Sequence, residues 1–129
     1  MNRGEFQELA LIRLHDAKVL LDNECYDGAY YLSGYVIECA LKACIAKKTK
    51  KFDYPDKKLI DKIYTHDLTK LLSVVGINLD EATKIKWTIV KDWSEQDRYK
   101  RHVEEEARNI YEAVANSKEG VLVWIKQHW

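Results

Sequence analysis

Three groups of residues have the types and spacing to do chemistry. The first is Arg98-Tyr99-Lys100-Arg101-His102, in which a guanidinium precedes an imidazole by four positions. On a continuous helix this spacing would put Arg98 and His102 on one face with Glu105 and Asn109 nearby. A cation and a titratable imidazole converging with polar partners could serve phosphate binding or weak phosphodiester cleavage. The second group is Tyr31, Tyr35, Glu38 and Lys42, which share one side of a helix. Glu38 and Lys42 are spaced for an i, i+4 ion pair, and the phenols could donate hydrogen bonds to the carboxylate. The third is His66, at the entrance to a helix, where capping or packing suits it as well as a site does. Each group also has a plain structural reading. Arg98 and His102 could be solvated or paired with Glu105 and Glu106, and Glu38 could be neutralised by Arg13 or Arg98 inside the fold.

Helices must carry these residues. From about Gly4 to Asn23, the residues Phe6, Ala10, Leu14, Ala17 and Leu21 form one apolar stripe, into which Arg13 projects. Cys25 to Gly28 reads as a turn, and Ala29 to about Lys48 as a second helix antiparallel to the first. Its small residues Ala29, Ser33, Val36, Ala40 and Cys44 make a close-packing side, suited to core or a dimer seam. A basic connector follows, with Lys47, Lys48, Lys50, Lys51 and Pro55, and Leu59 to Tyr64 reads as a helical turn. Asp67 or Thr65 can cap a short helix ending at Gly76. Asp80 can cap another, with Ala82, Ile85, Ile89 and Trp93 sharing its inner face and Trp87 off that face. Beyond a bend near Trp93, Ser94 or Asp97 restarts the helix, and Val103, Ala107, Ile110, Tyr111 and Val114 continue as a stripe. A short final helix presents Val121, Leu122, Ile125 and Trp129. The expected architecture is an all-α, antiparallel up-down bundle of four main helices with short accessory ones, forming one domain over residues 1–129.

Composition narrows the function. Of 129 residues, 47% are hydrophobic and 33% charged, with one Pro and five Gly, as in globular helical proteins. Lys plus Arg equals Asp plus Glu at 21 each, so no global field recruits nucleic acid or anionic membrane, and any such binding must be local. The three cysteines fit no paired framework, no Cys-x-x-Cys occurs, and no His or carboxylate set has chelating spacing. Free buried thiols and no metal or cofactor are expected. Apolar runs are too short to span a membrane, and the expected location is cytoplasmic.

Two stretches carry a resemblance: Ala29-Tyr30-Tyr31-Leu32-Ser33-Gly34-Tyr35-Val36-Ile37-Glu38-Cys39-Ala40-Leu41-Lys42-Ala43, and His66-Asp67-Leu68 together with Asp92-Trp93-Ser94-Glu95-Gln96-Asp97-Arg98-Tyr99. In this order they resemble the HEPN domain family, helical bundles of this size found in prokaryotes and higher eukaryotes. The resemblance implies a homodimer, often encoded beside a small nucleotidyltransferase partner protein. Members include metal-independent ribonucleases and toxins of toxin-antitoxin pairs, and also non-catalytic modules that bind nucleotides or proteins. The nuclease signature is Arg, four to six residues, then His, shared across a dimer cleft. Here three residues separate Arg98 from His102, and Glu104 stands where related toxins often carry a tyrosine. The resulting expectation is a dimerising module that binds a nucleotide, RNA or a partner protein, non-catalytic or catalytically divergent. Tyr35, Glu38, Lys42, His66, Tyr99 and Arg101 are its candidate binding residues. The alternatives are a ribonuclease or toxin with Arg98 and His102 as the catalytic pair, and a purely structural interaction protein.

Overall fold

The computed structural model describes residues 1–51 and 64–129. Helix α1 (Arg3–Asp22) starts at a reciprocal capping box, in which the Asn2 side chain accepts the Glu5 amide and Glu5 accepts the Asn2 amide, both at 2.8 Å. Its stripe is inward as expected, with Ala10, Ala17 and Leu21 buried. Arg13 finds its carboxylate on its own helix, not on another, at 2.8 Å from Asp16. The turn falls at Asn23 to Cys25, earlier than Cys25 to Gly28, because Glu24 takes the left-handed conformation at φ 62° and Asn23 donates back to the Val19 carbonyl.

Helix α2 (Tyr26–Lys51) is therefore longer than expected at both ends. Lys47 and Lys48 belong to it, not to a connector, and Lys48 reaches across to the Val74 and Val75 carbonyls. A cation at the end of another helix satisfies carbonyls that have no partner within that helix. The expected helical turn at Leu59 to Tyr64 and the Pro55 loop fall largely or wholly outside the described residues. Every residue from Val36 to Ile45 is buried, including Glu38 and Lys42. Such a helix sits at the centre of a bundle, with neighbours on all sides. Cys39 and Cys44 are buried here, and burial pushes each thiol up to about 11, whereas Cys25 is exposed.

Around α2 stand α3 (Leu68–Val75), α4 (Glu81–Val90), a 3₁₀ helix (Glu95–Tyr99), α5 (Glu104–Ala115) and α6 (Val121–Lys126). Asp67 caps α3 through the Lys70 amide, Gly76 closes it at φ 73°, and Asp80 caps α4 through the Thr83 amide. The inner face of α4 is Thr83, Trp87 and Val90, while Ile85 and Ile89 are exposed, the reverse of the expected face. Both stripes have helical spacing, and the large Trp87 side chain wins the interior. Trp93 lies beyond the last turn of α4 and so does not mark its face. Its ring packs on α2 at Gly34, where an added Cβ would come within 2.2 Å of the indole, and Nε1 donates to the Tyr31 carbonyl at 3.0 Å. One hydrophobic cluster joins residues of all six described α-helices, and the described residues form an all-helical bundle consistent with an up-down arrangement.

Candidate functional site

Two histidine-centred assemblies flank the 3₁₀ helix. Ser94 opens that helix by accepting the Gln96 amide at 3.1 Å, and the Ser94 amide donates to Asp97 at 2.8 Å. Lys100 at its end is extended, and α5 begins only at Glu104. Arg98 and His102 thus do not share a helical face, and the expected cluster with Glu105 and Asn109 does not form. The chain leaves the 3₁₀ helix at Lys100 and is extended again at Val103, from which α5 starts on its own acidic turn, Glu104 to Glu106.

His102 is turned inward, with its side chain 7% exposed. Nε2 lies 3.1 Å from buried Asp97 and Nδ1 lies 3.1 Å from Glu106. A neutral imidazole has one N–H, so only imidazolium donates to both carboxylates. The ring stacks on Tyr30 with centroids 3.6 Å apart and planes 8° from parallel, and its backbone amide donates to Asp27. Burial and the surrounding carboxylates of Asp97, Glu106 and Asp92 push the Tyr30 phenol up to about 12. The hydrogen bond from His102, helped by the Val103 amide, holds the Glu106 carboxyl below its ordinary range. Tyr30, Asp27 and Asp97 were missed by the sequence reading. Asp97 carried a signal only as a cap, and an i, i+4 rule from His102 points to Glu106.

The cations of this stretch stay outside. Arg98 lies over the Tyr99 ring at 4.8 Å from its centroid, Tyr99 is 73% exposed, and Lys100 and Arg101 are exposed as well. Arg101 and His102 border a cleft of about 470 Å³ with Asp27 and Tyr26 at the start of α2.

The second assembly is built on α2. Glu38, 3% exposed, lies 3.3 Å from Lys42 Nζ and 2.8 Å from His66 Nδ1. The Glu38–Lys42 pair forms as spaced, but the second carboxylate partner is His66, neither a phenol nor Arg13 or Arg98. Tyr35 instead stacks with Tyr31 at 6.1 Å, and Tyr31 stacks with Trp93 at 5.7 Å. Burial, with the Cys39 thiol beside it, pushes the Tyr35 phenol up to about 12. The His66 side chain is 48% exposed and lines a polar cleft of about 460 Å³ with Asp67, Lys91, Asp92, Ser94 and Glu95. Nδ1 is the ring nitrogen that faces Glu38. Thus Glu38, Lys42 and His66 are brought together, Tyr35 packs alongside, and Arg98, Tyr99 and Arg101 lie on a different stretch of surface from buried His102.

Among the described residues, no group of three or more His, Cys, Asp or Glu could hold a metal ion. Nor is any described helix long and apolar enough to cross a membrane. No curated protein and no solved structure matches the chain. The HEPN domain model matches residues 5–128, nearly its whole length. The chain, an all-helical bundle built around α2, belongs to the HEPN domain family.

Proposed function

We propose that this chain is a catalytically silent HEPN module that binds RNA along Arg98-Tyr99-Lys100-Arg101 and pairs with a second copy of itself. The observation that carries the reading is the division within this stretch. Three cations and an aromatic ring are presented to solvent while His102, which a nuclease would need, is withdrawn. Exposed cations neutralise phosphates, and an exposed ring beside a guanidinium offers a base a stacking surface. A ribonuclease or toxin reading requires His102 to leave two carboxylates and a stacked tyrosine before either nitrogen could reach a substrate. Homodimerisation and a nucleotidyltransferase partner are carried from the family resemblance.

Single-stranded RNA titrated in metal-free buffer, with strand integrity read on a gel, tests the proposal. Wild type is expected to bind without cleaving, and Arg98→Ala and Arg101→Ala each to weaken binding and lower the salt slope by about one unit. Cleavage abolished by both His102→Ala and Arg98→Ala would overturn it.

A further inference from the structure

Arg98, Tyr99, Lys100 and Arg101 are strung between two residues that hold each other. Asp97 Oδ1 lies 3.1 Å from His102 Nε2, so one side-chain contact closes the loop that carries all three exposed cations. The other Asp97 oxygen accepts the Ser94 amide at 2.8 Å and its carbonyl accepts the Lys100 amide at 3.1 Å, which anchors that end in the 3₁₀ helix. At the other end the His102 ring is held by Glu106 of α5 at Nδ1 and by the Tyr30 ring of α2 on its face. Three elements thus meet on one buried imidazole.

The charges that face it are mostly negative. Asp97, Glu106 and Asp27 approach from the 3₁₀ helix, α5 and α2, while Lys100 Nζ stands 3.9 Å from the same Asp97 oxygen and Arg101 borders the cleft on the Asp27 side. The Tyr30 phenol, pushed up to about 12, stays neutral beside them. An imidazolium donates to both side-chain carboxylates. Once it loses a proton, one ring nitrogen becomes an acceptor facing an acceptor. Loss at Nε2 opens the loop, and loss at Nδ1 frees the ring from α5.

We infer that His102 is a positioning residue for the RNA-binding stretch, a proton-dependent latch that presents Arg98, Lys100 and Arg101 on one closed loop and releases that loop when deprotonated. This rests on the RNA reading above and gives His102 a task that needs no contact with RNA. Lysine, arginine and phosphodiester groups keep their charges through the neutral range, so a change in affinity there points to a histidine.

The test sets RNA affinity, measured at constant ionic strength over a series of pH values, beside an NMR titration of the His102 ring in the free protein. Affinity is expected to stay level while His102 keeps its proton and to fall about fivefold or more as the ring loses it, the low end of couplings between linked equilibria. Where His102 keeps its proton throughout, its ring signals hold their position as RNA binds. Glu106→Gln keeps an acceptor for Nδ1 but removes a charge that favours imidazolium, and is expected to move the ring titration and the fall in affinity to lower pH together. The wild-type comparison stands even if that variant fails to fold. Affinity that stays level across the His102 titration overturns the inference while leaving the RNA-binding proposal standing. So does a ring that keeps one protonation state until the protein unfolds, and so does a fall that keeps its place when Glu106→Gln moves the titration, which would assign it to another histidine. Binding at no pH overturns the proposal and the inference together.

Discussion

Two of the four histidines, His66 and His102, are held by carboxylates, yet they end in different surroundings. His66 has one nitrogen on buried Glu38 and half of its side chain in a cleft. His102 has both nitrogens on carboxylates, one face on Tyr30 and 7% exposure. One acidic partner orients an imidazole through a single nitrogen, whereas two acidic partners occupy both. Residue type alone did not separate them, and the count of partners did.

The largest effect should come from breaking the support of His66. Glu38→Ala leaves Lys42 buried without its carboxylate, and unfolding in denaturant is expected to show a loss of about 3–5 kcal/mol. If Glu38 were an ordinary surface acid, the change would lie within about 0.5 kcal/mol. His102→Ala leaves buried Asp97 with an unmet acceptor and exposes Tyr30, for an expected loss of about 1–3 kcal/mol. His66→Ala should cost less than either, about 1 kcal/mol, because its ring is half solvated and water can reach the cleft side of Glu38.

The smallest effect is in pH. Glu106 has a folded-state pKa below its unfolded value, so its contribution is present above the ordinary glutamate range and is lost as pH falls through the depressed folded value. The window lies at and below about pH 4.3, the unperturbed value. In His102→Ala the carboxyl should return toward that value in an NMR titration, and an unchanged titration would remove His102 as the cause.

Much of the frame was legible in the sequence. The α1 stripe, the caps at Asp67 and Asp80, the Gly76 stop and the Glu38–Lys42 pair all follow from local spacing, which a helix obeys wherever it packs. What failed depended on tertiary choices. The inner face of α4 was decided by the bulk of Trp87 against two isoleucines of equally good periodicity. The relation of Arg98 to His102 was lost because the chain breaks between them into 3₁₀ and extended backbone, which invalidates an i, i+4 argument. Sequence brought His66 and Glu38 forward separately, and their contact joins α2 to the start of α3 across 28 residues.

The most direct test of the division within the Arg98–His102 stretch is an NMR record of its signals as single-stranded RNA is added to the folded protein. The expected result is that the signals of Arg98, Tyr99, Lys100 and Arg101 move with RNA concentration while the ring signals of His102 hold their position. Movement of the His102 ring signals with RNA concentration would contradict it, and would return His102 to the candidate catalytic groups.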